Sequence, residues 1–288
     1  MDQIRTIETV IEPQYVIEGA GVLLRRSISP AASNLFDPFL LFDHFAFNEP
    51  VEGPIRGFPM HPHRGIETVT YILEGSVNHR DSLGNSGRIG PGDVQWMTSG
   101  RGILHEEMPH RGPDGAIYGF QLWVNLPAAK KMTAPRYQEV QAAEIPCVER
   151  DGVRVRVVAG KSLGQSGPVI GIAADPLYID VSLDPGASFA QPVPPGHTAV
   201  AYVFEGRGDF DPGAAGEGSP VDAVRLLRFG DGGEMHVRAA PDSPLRFMLM
   251  AGAPFREPIV PYGPFVMNTV AEIQEALTDL RNGTFVRA

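Results

Sequence analysis

Short runs of apolar residues recur along the chain from about residue 8 to residue 255, and the runs are bounded by glycine, proline or aspartate. Most of them are six to eight residues long and rich in β-branched and aromatic side chains, as in 68–73, 117–124 and 245–250. Runs of this length between turn residues are typical of the strands of a β-sandwich or barrel. The pattern therefore predicts an all-β protein.

The strand pattern repeats along the chain. Residues 69–75 and 200–206 agree in character at six of seven positions. Each segment is followed by a turn-rich stretch, then by Gly-Asp at 92–93 or 230–231, and then by an apolar strand that runs into a proline. We interpret this repeat as a duplicated β-domain.

The repeat also predicts where one domain ends and the other begins. The connection between the two copies falls near 127–146, where Lys130, Lys131 and Pro135 indicate an exposed segment. We therefore predict one domain over 1–135 and a second domain over 136–288.

Only the C-terminal end of the chain has a helical pattern. Residues 269–272 read Thr-Val-Ala-Glu, which has the form of a capping box. Apolar residues at 273, 276, 277 and 280 then follow at helical spacing, and Asn282-Gly283 supplies a stop signal. We predict a short amphipathic helix near 270–282 that packs on a domain; a helix that binds a partner is the alternative.

Composition and charge narrow the class of protein. The 33 glycines and 27 prolines are about 21% of the chain, against roughly 12% in average proteins, which fits many turns and excludes an all-helical fold. The net charge of −10 argues against direct nucleic-acid binding, because binding to phosphates requires a basic surface. Contact with a regulatory protein stays open.

Targeting signals and cysteines indicate the compartment. The N-terminus has no basic segment followed by an apolar run, so we expect no signal peptide. No stretch reaches the roughly 18 to 20 apolar residues that span a bilayer, so we expect no membrane association. Cys147 is the only cysteine, which excludes an intrachain disulfide and a cysteine-rich zinc site. These features favour a cytoplasmic protein.

The histidines are the candidate metal ligands. Six of the eight lie between His44 and His110, where an even spread would place about two. His61 and His63 are two residues apart, so on a strand both point to one face, and His105 and Glu107 have the same spacing. Two neighbouring strands could thus present three imidazoles and one carboxylate.

Such a ligand set suits a divalent transition metal and leaves coordination positions open for substrate or water. Fe(II), Mn(II), Ni(II), Co(II), Cu(II) and Zn(II) all accept it. Glu67 is the rival carboxylate, because it has the parity of His63 if the strand stays regular through Gly65. His197 and His236 stand singly in the second half of the chain, so we expect one metal per chain.

These residues carry a family resemblance. Residues 61–71 with Glu74-Gly75 resemble the first metal motif of a cupin. Four further segments are similar to the pirin branch of the cupins, and the likeness covers essentially the whole chain in order: 91–109, 120–127, 257–260 and 262–268. His105 comes 13 residues after Gly92, which is longer than the ordinary cupin spacing but resembles that of pirins.

The resemblance implies a bicupin, in which two antiparallel β-sandwich or jelly-roll barrels pack face to face and only the N-terminal barrel binds metal. It places the ligands on His61, His63, His105 and Glu107 and favours Fe(II) as the metal. By the same resemblance, Glu67 supports the site without binding the metal.

The pirin resemblance also implies an activity. Bacterial pirins are associated with quercetin 2,3-dioxygenase activity, in which O2 opens a flavonol ring and carbon monoxide is released. Glu107 would be the catalytic residue that takes the proton of the flavonol 3-hydroxyl group. Apolar residues near the motifs could form the pocket walls or serve as core packing: Phe58, Met60, Ile103 and Met108.

A second function of another class is also implied by the resemblance. Eukaryotic pirins are iron-bound co-regulators of transcription factors. The chain would then be a metal-dependent, redox-sensitive module that binds a protein partner without turnover. The acidic charge fits a basic partner, although it fits ordinary solubility equally well.

Overall fold

The computed structural model describes residues 3–31, 34–46, 57–211 and 220–286. Within these residues the chain forms strands and two short 3-10 helices, Ala128–Lys130 and Ala142–Glu144, before one α-helix, α1 (Val270–Asn282). The strands of the first half are β1 (Ile7–Ile11), β2 (Gln14–Glu18), β3 (Val22–Ile28), β4 (Phe39–Ala46), β5 (Phe58–His63), β6 (Ile66–Glu74), β7 (Ser76–Asp81), β8 (Ser86–Ile89), β9 (Val94–Thr98), β10 (Ile103–His110), β11 (Tyr118–Asn125) and β12 (Arg136–Val140). The strands of the second half are β13 (Cys147–Arg150), β14 (Val153–Ala159), β15 (Lys161–Ser162), β16 (Gln165–Ser166), β17 (Leu177–Leu183), β18 (Ser188–Pro192), β19 (Thr198–Asp209), β20 (Val221–Asp222), β21 (Arg225–Phe229), β22 (Glu234–Ala239), β23 (Leu245–Gly252), β24 (Val260–Tyr262) and β25 (Phe265–Met267).

The chain divides into two compact units that exchange their terminal segments. One, called here the histidine-rich unit, comprises 14–142 and 255–288; the second unit comprises 1–13 and 143–254. This division differs from the predicted domains 1–135 and 136–288 at both ends of the chain. The N-terminal strand β1 pairs with β21 in the second unit, and the C-terminal residues with α1 belong to the histidine-rich unit.

The histidine-rich unit is an antiparallel sandwich of two open sheets. One sheet has the strand order β12-β9-β6-β11-β4-β3-β2, and the other has the order β5-β10-β7-β8. Side chains from both sheets form a shared apolar core, in which Leu24, Phe45 and Ile72 pack with Val77 and Ile89. Strands of the predicted kind, with one face turned to this core, therefore build the unit.

The second unit is also antiparallel and open, with the path β1-β21-β19-β23-β17-β14-β13 and three further strands joined to it. Its interior is filled by apolar side chains, among which the Phe210 and Phe247 rings lie 5.0 Å apart. His197 and His236, the two histidines of this unit, are each only partly buried. Two cupin sandwiches with one short helix confirm the predicted all-β bicupin class.

The C-terminal helix begins and ends as predicted. The Thr269 hydroxyl accepts a hydrogen bond from the Glu272 backbone N–H, and the Glu272 carboxylate accepts one from the Thr269 N–H, which completes the capping box. Gly283 ends the helix in the left-handed region at φ 71°. Ile273 and Ala276 are buried against residues of β25. Within the described residues, no helix is long and apolar enough to span a membrane.

Candidate metal centre

Three histidines converge between the neighbouring strands β5 and β10. His61 and His105 are direct partners in the antiparallel pairing of the two strands, and His63 lies two residues further along β5 on the same face. One ring nitrogen of each imidazole lies within 4.8 Å of those of the other two. The Nε2 atoms of His61 and His63 are 3.0 Å apart. The structure thus brings together the three imidazoles that the spacing predicts.

The backbone around His63 is shaped by a glycine and by an edge position. β5 lies at the edge of its sheet, so Pro62, which lacks an N–H group, is tolerated between the two histidines. Gly65 adopts φ 82°, and a Cβ atom there would lie 2.2 Å from the carbonyl oxygen of Val266. Only glycine fits this turn. It ends β5 immediately after the second histidine.

A buried lysine holds the same turn. The Lys131 Nζ donates hydrogen bonds to the carbonyl oxygens of Gly65 and Val266 at 2.9 and 2.7 Å, and to the Asn125 Oδ1 at 2.8 Å. Its side chain is 1% exposed, which corrects the prediction that Lys131 lies in an exposed connection. The three acceptors match the three N–H donors of an ammonium group, so the lysine can be buried here.

Burial keeps the imidazoles of His63 and His105 neutral. It lowers the pKa of His63 to about 3, and it lowers the pKa of His105 well below its usual range. A neutral imidazole keeps a lone pair for a metal. Both ring nitrogens of His105 are buried and have no hydrogen-bond partner among the described residues, a costly arrangement that a metal ligand would explain. The donor set therefore fits a divalent transition metal.

Glu107 lies beside this cluster on the same face of β10. Its Oε2 is 4.0 Å from the His105 Nε2, and its Oε1 accepts a hydrogen bond of 3.1 Å from the Thr70 hydroxyl. The side chain is buried, and burial raises the pKa of the carboxyl group. An irregularity in the pairing with β5 falls between His105 and Glu107. The carboxylate is thus close to the three imidazoles without being part of their cluster.

Glu67 occupies a different place from the one that strand parity predicts. β5 ends at His63 and β6 begins at Ile66 after the turn at Gly65, so the alternation does not continue from one strand into the next. Thr70 on β6 faces Glu107, and Glu67, three residues earlier, therefore points to the opposite face of the sheet. There the Thr98 hydroxyl donates a hydrogen bond of 2.7 Å to its Oε1. Glu67 joins β6 to β9.

A cavity of about 560 Å³ opens beside the histidines, within the histidine-rich unit. Phe58, His61, His63 and Glu107 lie in its lining. Three predicted wall residues do not. Met60 is 43% exposed, Ile103 is fully buried, and Met108 lies on the face of β10 opposite His105 and Glu107. For Met108 the reason is strand alternation, which turns every second side chain of β10 away from the site.

The opposite wall consists of residues that the sequence reasoning missed. They lie on β3, β4 and β11 and include Arg26, Asp43, Gln121 and Trp123. The Trp123 ring stands nearly perpendicular to that of His63, with the centroids 5.2 Å apart. The sequence contains a signal that could have identified one of these residues, because Asp43 places a charge within the apolar strand Phe-Leu-Leu-Phe-Asp-His-Phe. A charge at such a position is rarely buried without a partner.

Asp43 has its partner in Arg26. The Arg26 Nε and Nη2 donate to the two carboxylate oxygens of Asp43 at 2.8 and 2.7 Å, and the Nη1 donates to the Glu18 Oε1 at 2.7 Å. Burial raises the pKa of Asp43, and the paired guanidinium opposes this shift. A charged cluster thus lies in the same cavity wall as Trp123.

A β-sandwich with three converging imidazoles on adjacent strands, together with a second sandwich whose core is apolar, defines a two-domain cupin. The part of the chain that the structure describes contains one candidate metal centre. Residues 21–124 match the family model for pirin, and residues 178–286 match that for the pirin C-terminal cupin domain. The chain belongs to the pirin family.

Relatives span nearly the whole chain. This chain is 45% identical to pirin of Homo sapiens over 267 residues, which are 92% of this chain and 88% of the relative. It is 43% identical to a pirin-like protein of Caulobacter vibrioides over 284 residues, which are 98% and 99% of the two chains. Among solved structures, a quercetin 2,3-dioxygenase from Acinetobacter baumannii superposes with a TM-score of 0.86 at 34% identity and covers 98% of this chain and 99% of its own.

Proposed function

We propose that this chain is a metal-dependent dioxygenase of the quercetin 2,3-dioxygenase type, which acts on a flavonol with O2. The observation that carries the proposal is the convergence of three imidazoles, with a carboxylate beside them, at the wall of a cavity of about 560 Å³. A cavity of this size suits a flat three-ring aromatic molecule. The similarity to the dioxygenase from Acinetobacter baumannii supports the choice of substrate.

His61, His63, His105 and Glu107 would hold one divalent metal ion, for which we propose Fe(II), with Mn, Ni, Co, Cu and Zn as alternatives. When bound, the metal supplies a Lewis acid that lowers the pKa of the flavonol 3-hydroxyl group. In the reaction, both oxygen atoms of O2 enter the ester product, and one ring carbon leaves with its own oxygen as carbon monoxide.

The residues of the chain have separate tasks in this proposal. The Glu107 carboxylate, in the cavity wall, accepts the proton of the 3-hydroxyl group, and the Thr70 hydroxyl orients that carboxylate. Phe58 and Trp123 flank the aromatic rings and exclude water from them. The single cysteine, Cys147, suits a reducing compartment, and we propose a cytoplasmic location.

Aerobic incubation with quercetin tests the reaction. Protein loaded with Fe(II) or Mn(II) is expected to bleach the flavonol absorption band and to release carbon monoxide. His105→Ala should abolish both metal content and turnover, because it removes one of the three converging imidazoles. His236→Ala is the matched control, since His236 lies in the second unit and contacts Glu234 there.

Two results would contradict the proposal. A His105→Ala variant that keeps a full equivalent of metal shows that the ligand set is wrong. Absence of turnover with every one of these metals excludes the reaction on this substrate, and retained metal would then favour the alternative of a metal-dependent module that binds a protein partner.

A further inference from the structure

The wall of the cavity opposite the histidines contains a buried ion pair. Arg26 on β3 and Asp43 on β4 are partners in the strand pairing and share two hydrogen bonds of 2.8 and 2.7 Å. Asp43 is 3% exposed, and Glu18 binds the guanidinium from the next strand, β2. All three residues line the same cavity as His61, His63 and Glu107.

Such a pair is a poor device for stability alone. Removing two charges from water carries a desolvation penalty that their attraction often fails to exceed, and apolar residues of similar volume would serve as well or better. The neighbouring cavity residues Leu24, Leu41 and Phe45 are apolar. Because this ion pair lines a cavity, beside these apolar residues, it is a candidate for ligand recognition.

The pair still has hydrogen-bonding capacity. Among the described residues, Arg26 uses three of its five N–H donors, on Asp43 and Glu18. Each Asp43 oxygen accepts one of these bonds and keeps a second lone pair. Donors and acceptors thus lie side by side, which matches a hydroxyl group, because a hydroxyl both donates and accepts.

The charge of the cluster selects among oxygen-bearing ligands. One guanidinium faces the two carboxylates of Asp43 and Glu18, so the three groups together carry one negative charge. A carboxylate or phosphate on the ligand would be repelled, whereas a neutral phenolic hydroxyl would not. The Gln121 amide, on the strand position opposite Asp43, adds a further neutral polar group to this wall.

We propose that the Arg26–Asp43 pair determines substrate specificity by binding the phenolic hydroxyls of a polyhydroxylated aromatic molecule whose other end reaches the histidines. The inference rests on the proposed function for the flavonol class. It goes beyond that function in assigning the recognition of the remote hydroxyls to two named side chains. It predicts a preference among flavonols that share the same metal-binding oxygens.

The test compares quercetin with 3-hydroxyflavone, which has the 3-hydroxyl and 4-carbonyl groups but lacks the other hydroxyls. Dissociation constants are measured without oxygen by quenching of tryptophan fluorescence, since Trp123 lines the cavity. Wild-type protein is expected to bind quercetin at least tenfold more tightly. In Arg26→Met with Asp43→Leu, quercetin binding should weaken roughly tenfold, while 3-hydroxyflavone binding changes less than about twofold.

The second unit offers a matched control pair. Arg246 binds Asp180 through the same two nitrogens at 3.1 and 2.8 Å, with Glu205 as the third partner, and none of these residues lines the cavity. Arg246→Met with Asp180→Leu should leave the ratio of the two dissociation constants unchanged. Arg26→Lys, which keeps the charge but not the paired geometry, should reduce the ratio in the same direction as the double variant.

The ratio is the deciding measurement because loss of folded protein affects both ligands alike. An unchanged ratio in both Arg26 variants overturns the inference, and so does a wild-type protein without preference for quercetin. The proposed reaction has a separate outcome. If the protein prefers quercetin in the predicted way but releases no carbon monoxide, the recognition by Arg26 and Asp43 stands and the reaction is excluded. If carbon monoxide is released but the ratio is unchanged in the variants, the reaction stands and the recognition is excluded.

Discussion

Thr70 is the side chain that links the candidate metal centre to the sheet behind it. Its hydroxyl oxygen lies 3.1 Å from the Glu107 Oε1 and 3.1 Å from the Gln121 Oε1, and it is almost fully buried. Groups that hydrogen-bond to a metal-binding carboxylate orient it and tune its affinity for the metal. In our proposal Thr70 is thus a positioning residue for Glu107.

Thr70→Val removes this hydroxyl at nearly constant volume. We expect the affinity for Fe(II) or Mn(II) to fall roughly tenfold, because the Glu107 carboxylate loses its orienting donor. Thr70→Ser should restore most of the affinity. Competition with a chelator measures the dissociation constant, and thermal unfolding of the metal-free proteins shows whether the fold is intact. Equal metal affinity in the valine variant would contradict the role of Thr70.

At the scale of single residues, the sequence predicts those side-chain positions that depend on local spacing along one strand. The pairs His61 with His63 and His105 with Glu107 follow from the two-residue period of a strand, and the structure places the three imidazoles together. The parity assigned to Glu67 is not found, because one glycine, Gly65, breaks the period. Neither Arg26 nor Asp43 could be placed opposite the histidines, because their wall is formed by strand pairing between distant segments.

At the scale of elements, the turn between β5 and β6 is held by Lys131 on a different segment of the chain. The lysine also binds the carbonyl oxygen of Val266 on β25, so three separate segments meet at one ammonium group. Burial lowers the pKa of Lys131 to about 7. The stability of this junction must therefore depend on pH.

The sign of this dependence follows from the protons bound. Between pH 7 and about 10, the unfolded chain keeps the proton on Lys131 while the folded chain loses it, so the free energy of unfolding rises with pH. Below pH 7 both states are protonated, and the group adds no slope. We therefore expect the free energy of unfolding of wild type to rise relative to that of Lys131→Met, by at most about 1.4 kcal/mol per pH unit in this window.

Urea unfolding at pH 6.5, 8 and 9.5 measures this difference. Trp96 and Trp123 are the two tryptophans of the chain and both lie in the histidine-rich unit, so tryptophan fluorescence, excited selectively, reports on that unit. Lys130→Met is the matched control, because Lys130 is exposed and should show no such trend. A gap between wild type and Lys131→Met that stays constant over this range would exclude the shifted pKa.

At the scale of the whole molecule, the sequence repeat predicts two β-units but not the exchange of their terminal segments. A repeat records which stretches resemble each other, whereas strand pairing between β1 and β21 joins residues more than two hundred positions apart. The capping box of α1 is local and was predictable; the unit on which the helix packs was not. For the same reason, the predicted boundary near residue 135 separates segments that fold together.

The exchange predicts how the chain can be divided. A fragment of residues 1–135 lacks β24, β25 and α1, so the buried Arg64 loses Asp279, whose Oδ2 accepts its hydrogen bond at 2.9 Å. Lys131 likewise loses the Val266 carbonyl oxygen. Leaving a buried charge without its partner costs about 3 to 5 kcal/mol, a large part of the roughly 5 to 15 kcal/mol that stabilises a domain.

We therefore expect fragment 1–135 to bind no metal and to unfold without a cooperative transition. Residues 14–142 joined to 255–288 through a long glycine-serine linker contain the complete histidine-rich unit. This rearranged chain should bind one equivalent of metal and unfold cooperatively, as followed by metal analysis and by tryptophan fluorescence in urea. Only the rearranged chain retains the contacts of Arg64 and Lys131 with the C-terminal segment. Equal metal binding by fragment 1–135 and by the rearranged chain would therefore show that this segment is dispensable for the metal site.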